Sequence, residues 1–428
     1  MILIKNGRMV DPASGIDEAL DVVLEDGRIK ALGKFPKTEA YEEVIDAAGK
    51  IVAPGLVDIH VHFRDPGLTY KEDIVTGAAA AAAGGYTTVV CMANTKPVVD
   101  SVETLSDLRT RARELPVQVL NAAAVTKGLK GEELTDMRAL RAAGAAGFTD
   151  DGIPIADTAL LFEAMKRAKE LDVPISLHEE DPALIASAGI NQGAVSRQLG
   201  VGGAPALAEE ALVARDCALA LRAGARVNIQ HLSSQVSVDI IRAMKGLGAS
   251  VFAEVTPQHF SLTERAAVER GTLAKVNPPL REEADRYALI RGLKDGTIDF
   301  IATDHAPHSQ EEKERDLNQA PSGMIGLETA LALGITNLVR KGHLTMLQLL
   351  EKMTVNPARF YKLGCGTLKV GGPADMVIFD ERERWTVEAE DFRSKSRNSP
   401  FLGMELYGRV HYTICGGRVV FRREPKEK

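Results

Sequence analysis

The sequence predicts an α/β protein: a TIM-like (β/α)8 barrel with a small β domain formed by the N- and C-terminal segments. Three observations predict it. Strand-like and helix-like segments alternate eight times between residues 54 and 365, the order of a parallel barrel. The two ends, 1–53 and 366–428, are instead made of short apolar runs and turns. Polar residues collect where the barrel strands finish, and in this fold those ends converge on one mouth.

The N-terminal unit opens with strand-like Ile2, Leu3 and Ile4, followed by runs at 21–24 and 28–32 joined by the turn signal Glu25-Asp26-Gly27. The C-terminal tail repeats this texture at 374–379, 410–414 and 418–421, with Gly416-Gly417 as a turn. Neither end is long enough for a good sheet core, so the two are expected to form one β domain together. Barrel strands are expected at 56–62, 87–92, 117–123, 145–150, 174–178, 226–231, 250–255 and 298–304. Helical patterns at 71–83, 102–115, 156–171, 208–223, 237–247 and 283–294 separate them. The span 54–365 exceeds the usual barrel of about 250 residues, and two long loops, 179–206 and 309–323, account for the excess. Loops of this length carry function or move.

Composition narrows the function. Of 428 residues, 45% are hydrophobic and 26% charged, an ordinary globular balance. The net charge is −7 without a basic block, which argues against nucleic acid or an anionic membrane as partner. Cys91, Cys217, Cys365 and Cys415 are scattered, so neither a disulfide framework nor a cysteine zinc site is expected. The first seven residues lack a secretion signal, and the alanine run 78–83 is too short to span a membrane. A cytoplasmic protein with a small-molecule substrate is expected.

Asp58, His60 and His62 alternate with Ile59 and Val61, so the three polar side chains share one strand face. Buried together, they are costly unless something binds them. His178, His231 and Asp304 end strands five, six and eight, the pair Asp150-Asp151 ends strand four, and Asn94 follows strand two. Four imidazoles and two carboxylates at one mouth suit a divalent metal such as Zn²⁺. Strand alternation does not choose between Asp150 and Asp151. Arg64 shares the parity of His62 and is expected to point into the same mouth; the competing reading is an ion pair with Asp65. His259, His343 and His411 stand outside this pattern and are read as structural, and Cys91 as a buried thiol. The charged run 311–316 is read as a solvated loop face, and the glycines at 200–203 as no phosphate loop.

Residues 58–67, DIHVHFRDPG, closely resemble the first signature of the dihydroorotases, metal-dependent amidohydrolases, and residues 302–308, ATDHAPH, resemble their second. The stretches NPPLR at 277–281, VNPAR at 355–359 and GTLKVG at 366–371 are similar too, so the resemblance covers nearly the whole chain. It is to the longer bacterial form that keeps a small β domain. The resemblance implies that His60, His62 and Asp304 bind one zinc ion and His178 and His231 a second, with Asp151 as the bridge. Many relatives bridge through a carboxylated lysine of strand four, and this strand has none. One or two ions per chain are therefore open, with two favoured. The implied reaction interconverts N-carbamoyl-L-aspartate and L-dihydroorotate in pyrimidine biosynthesis. Asp304 would act as general base and then acid. Arg64 would bind the substrate carboxylate, supported by Asn94, Asn277 and His308, and loop 309–323 would close over the substrate.

Three alternatives stand beside this reading: an allantoinase, a dihydropyrimidinase, or a non-catalytic scaffold for aspartate transcarbamoylase. The absent lysine and the RDPG extension weigh against the first two, and the full set of six candidate ligands against the third. Association with aspartate transcarbamoylase and a homo-oligomer both stay open.

Overall fold

A computed structural model describes residues 1–35 and 41–424. The eight expected barrel strands are present as Leu56–Val61, Tyr86–Cys91, Gln118–Asn121, Phe148–Thr149, Ile175–Leu177, Val227–Ile229, Val251–Val255 and Phe300–Ile301. The first three form one parallel sheet and the last five another. Parallel bridges Ala123↔Phe148 and Val61↔His305 close the two sheets into a ring. Barrel closure leaves no sheet edge to pair with a stranger.

Most strands stop short of the expected bounds. Asp304 and His231 adopt left-handed backbone, with φ of 48° and 35°, so pairing ends before them. The helices follow the expected order, with Ile74–Ala83, Val102–Arg111, Thr158–Glu170, Leu207–Ala223, Gln235–Gly246 and Glu283–Asp295 between strands. The first begins three residues later than expected because Asp73 caps it, accepting from Val75 N at 3.0 Å and Thr76 N at 2.9 Å. Gly77 lets this helix lie against Phe63, since a Cβ there would sit 2.4 Å from the ring. The helix thereby backs the segment that carries His62 and Arg64. Among the described residues, no helix is long and apolar enough to cross a membrane.

The chain ends build two sheets. Strands Arg28–Gly33, Asp21–Glu25, Ile2–Lys5 and Glu43–Asp46 form the first, all from the N-terminal segment. The second mixes both ends in the order Arg418–Arg422, Glu405–Cys415, Met376–Thr386, Ile51–Pro54, Arg8–Asp11, Ile16–Ala19. Their shared core joins Ile4, Val22, Leu24 and Ile29 to Met376, Ile378 and Ile414. Each sheet covers the apolar face of the other, which neither can do alone. We propose this pair of sheets as the β domain of 1–53 with 366–428; residues 36–40 and 425–428 of those ranges lie outside the described residues.

Candidate metal centre

The residues that end the barrel strands meet in one buried cluster. Single donor atoms of His60, His62 and Asp151 lie within 4.8 Å of one another, and so do those of Asp151, His178 and His231. Asp151 belongs to both groups. Its Oδ1 is 3.2 Å from His60 Nε2 and 4.0 Å from His231 Nε2, and its Oδ2 is 3.4 Å from His62 Nε2. Asp304 Oδ1 lies 3.0 Å from His62 Nε2 and 3.5 Å from His60 Nε2. His178 Nδ1 sits 2.9 Å from His231 Nε2.

The choice between Asp150 and Asp151 follows from their partners. The Asp150 carboxylate accepts from Val125 N at 2.7 Å and Thr126 N at 3.0 Å, and from the Thr126 hydroxyl. It is consumed in holding the next loop, and only Asp151 faces the cluster.

The donor set fits a divalent metal. Three of the four imidazoles bind an oxygen through the ring nitrogen that points away from the centre. His60 Nδ1 is 2.5 Å from Glu254 Oε1, His62 Nδ1 is 2.9 Å from Asn94 Oδ1, and His178 Nε2 is 3.1 Å from Glu180 Oε2. Each such contact places the proton outward and leaves a lone pair facing inward, the arrangement of metal-binding histidines. Burial alone works against charge on His60, yet Glu254, Asp151 and Asp304 outweigh it and hold its pKa well above the ordinary value. His231 is driven the other way, by burial and then by His178 and His60. Buried carboxylates strong enough to favour a proton on His60 offer the same field to a divalent cation between them.

Asp58 stands behind the cluster and braces it. Its carboxylate accepts from His60 N at 3.0 Å and from Thr303 N at 3.2 Å, tying strand one to the backbone just before Asp304. Burial pushes its pKa up to about 7. Arg64, His231 and Asp304 all carry positive φ without being glycine. Such backbone costs about 1–3 kcal/mol per residue and persists only where the surroundings impose it. Here the restraints include Leu68 N on Arg64 O at 2.9 Å and His231 N on Glu254 Oε1 at 3.2 Å.

A cavity of about 190 Å³ opens over the cluster. His62, Asp151, His178, His231 and Asp304 line it together with Arg64, Asn94, Asn277 and His308. His60 lies beneath, fully buried. Arg64 reaches the cavity through its own left-handed turn, at φ 57°, and not by strand alternation, because pairing ends at Val61. Nor does it pair with Asp65, which binds Arg111 at 2.9 Å. Arg64 Nε donates to Pro307 O at 3.2 Å and Nη2 lies 3.4 Å from His308 Nε2. Among the described residues, no carboxylate lies within ion-pair distance of this buried guanidinium. His308 Nε2 donates to Ser322 O at 2.9 Å, and its Nδ1 accepts from Lys71 Nζ at 3.3 Å. Asn94 Nδ2 donates to Asp151 Oδ2 at 3.2 Å, while Asn277 Oδ1 is buried without a hydrogen-bond partner among the described residues.

The charged run 311–316 is a correction to the sequence reading. Ser309 caps the short helix Gln310–Lys313, accepting from Glu312 N at 3.3 Å. That turn swings Glu312 and Lys313 inward and leaves Glu311, Glu314 and Arg315 exposed. Glu312 pairs with Lys71 at 2.9 Å, and Lys313 Nζ donates to Pro321 O at 2.9 Å and Gly323 O at 3.0 Å. Burial, with help from Lys275, pushes the Lys313 amine down to about 7. Two buried hydrogen bonds of this kind stabilise by about 2 kcal/mol in sum. Lys313→Met is therefore expected to raise proteolysis within 309–323 by at least tenfold with little loss of barrel stability. Limited digestion followed by mass spectrometry reads both.

Several residues escaped the sequence reading. Glu254 and Glu180 carry no motif signal beyond being acids near strand ends. Asn398, from the C-terminal tail, accepts from His308 N at 3.1 Å and donates to Ala306 O at 3.1 Å and Gly323 O at 3.2 Å. Nothing in its local sequence announces that. His259 and His411 have structural partners: His259 Nε2 donates to Pro278 O at 2.9 Å, and His411 lies 2.6 Å from Glu383. Cys91 is buried, and burial pushes its thiol pKa up.

Known proteins resemble the chain throughout. Residues 49–237 match a family model described as dihydro-orotase-like, and residues 324–421 one described as an amidohydrolase family. A dihydroorotase of Clostridioides difficile is 58% identical over 421 residues, spanning 98% of this chain and 100% of that one. Dihydroorotases of Clostridium acetobutylicum and Streptococcus pneumoniae are 54% and 52% identical, over 98% and 99% of this chain and 99% and 100% of theirs. Among solved structures, the L-hydantoinase (dihydropyrimidinase) of Arthrobacter aurescens superposes with a TM-score of 0.87 at 29% identity, covering 98% of this chain and 95% of its own. The dihydropyrimidinase of Brevibacillus agri gives 0.85 at 25% identity, with 98% and 95% covered. These are barrels of the same superfamily, and the identity to the dihydroorotases is about twice as high. With the strand-end cluster in place and that identity sustained from end to end, the chain belongs to the dihydroorotase family of amidohydrolases, hydrolases that act on cyclic amides.

Proposed function

We propose that this chain hydrolyses L-dihydroorotate to N-carbamoyl-L-aspartate, and closes the ring in reverse, as a step of pyrimidine biosynthesis. One observation carries the reading: a buried arginine with no carboxylate at ion-pair distance among the described residues shares a small cavity with the histidine–aspartate cluster. That cavity offers recognition of an anionic group and hydrolytic chemistry side by side.

His60, His62 and Asp304 would hold one zinc ion, and His178 and His231 a second, with Asp151 between them. Bound zinc would supply Lewis acidity, polarising the ring carbonyl and making water nucleophilic near neutral pH. Asp304 takes the proton from the attacking water and delivers it to the ring nitrogen as the amide C–N bond breaks. Arg64 pairs with the free carboxylate of the substrate and fixes its orientation. Asn277 and His308 border the same space and complete the binding surface, while the Asn94 amide braces His62 and Asp151. Loop 309–323 closes over the substrate and excludes water. Protection of this loop from protease by dihydroorotate supports closure, and equal cleavage with and without it counts against.

Absorbance at the dihydroorotate band tests the activity directly; no turnover by the zinc-loaded chain sinks the reading. Metal analysis by mass spectrometry is expected to find two zinc ions per chain. Dipicolinate should abolish activity and added zinc restore it, and a fully active chain holding one ion overturns the two-ion arrangement. Hydantoinase activity is the second outcome of the same assay, favoured by the shared fold and opposed by Asp151 in place of a strand-four lysine. The reading also implies a cytoplasmic enzyme. Association with aspartate transcarbamoylase, which makes the carbamoyl aspartate, and self-association are both open to test by co-elution on size exclusion.

A further inference from the structure

Glu254 stands on barrel strand seven, Val251–Val255, and is fully buried. Three donors converge on its carboxylate. His60 Nδ1 is 2.5 Å from Oε1, His231 N is 3.2 Å from the same oxygen, and Asn228 Nδ2 is 2.8 Å from Oε2. One acid thus touches the ring of a residue in one donor group and the backbone of a residue in the other.

We propose that Glu254 is a positioning residue for both halves of the centre. By accepting from His60 Nδ1–H it fixes the tautomer in which Nε2 carries the inward lone pair, and its charge raises the basicity of that nitrogen. By accepting from His231 N it holds the left-handed turn, at φ 35°, that aims the His231 ring at Asp151. Asn228 completes the grip and keeps the carboxylate from rotating. Glu254 touches neither the substrate cavity nor the inward-facing nitrogens, so its action passes through the two histidines. This inference rests on the reading of the cluster as a zinc centre.

The test is the zinc dissociation constant, measured by competition with a chromophoric chelator, alongside the melting temperature of the metal-stripped chain. Glu254→Gln retains the shape and removes the charge. Its new amide can be met by Asn228, whose Oδ1 has no hydrogen-bond partner among the described residues and becomes an acceptor when that side chain turns over. The variant should therefore fold and bind zinc about tenfold more weakly, and Glu254→Ala, which abandons all three donors, up to about 100-fold more weakly. Parent-like zinc affinity in either folded variant overturns the proposal, even where the stripped chain melts earlier, because a purely structural acid would produce that result. If the alanine variant does not fold, the glutamine variant decides alone. Failure of the parent chain to bind zinc would instead overturn the metal centre itself, so the two failures are distinguishable.

Discussion

Asp304→Asn is expected to lower kcat by about 10²–10⁴-fold, the range a positioned proton shuttle contributes. The substitution isolates proton transfer well. Asparagine tolerates left-handed backbone, so the φ of 48° at this position adds little new strain. It also keeps an oxygen for the contact that Asp304 Oδ1 makes with His62 Nε2 at 3.0 Å. What it loses is the ability to take a proton from water and return it to the leaving nitrogen. Because Asp304 is also a candidate ligand, turnover must be expressed per bound zinc. Near-parent turnover with full metal content would remove Asp304 from the proton path.

Arg64→Ala is expected to raise KM for dihydroorotate by about 10²-fold with a smaller change in kcat. A charge-assisted hydrogen bond contributes about 1.5–3 kcal/mol, and a guanidinium–carboxylate pair makes two. The magnitude is large because Arg64 is buried and no carboxylate among the described residues stands within ion-pair distance of it, although Asp304, Asp151 and Glu312 act on it from further away. Dihydrouracil provides the control, since it has the same cyclic amide without the carboxylate. Parent and variant should use it with equal kcat/KM. An unchanged KM for dihydroorotate, or an equal loss on both compounds, would end the assignment.

The barrel was legible because its signals are local. Alternating apolar residues mark each strand, helical periods mark each crossover, and the two combine only in a short list of folds. The strand-end residues were legible for the same reason, as the barrel brings all eight C-terminal ends to one mouth. Details that depend on which atom faces which were not. Asp150 and Asp151 differ by one position, and only the loop at Val125 and Thr126 shows that Asp150 is already engaged. The run 311–316 looked solvent-facing from its charge, yet a single capped turn sends Lys313 into the protein, where two carbonyls receive it.

The sequence by itself determined the fold class and put histidines, aspartates and an arginine at the strand ends, with Asp150 and Asp151 undecided, since period, spacing and residue type are properties of short segments. The tertiary structure alone decided how that set is held. It placed Glu254 of strand seven against His60 of strand one, and Asn398 of the C-terminal tail under His308. It also carried Arg64 into the cavity through a left-handed turn that no alternation rule anticipates. These pairings join residues 194 and 90 positions apart, and contacts across such distances are chosen by packing and by the need to satisfy buried polar atoms, not by the local pattern of the chain.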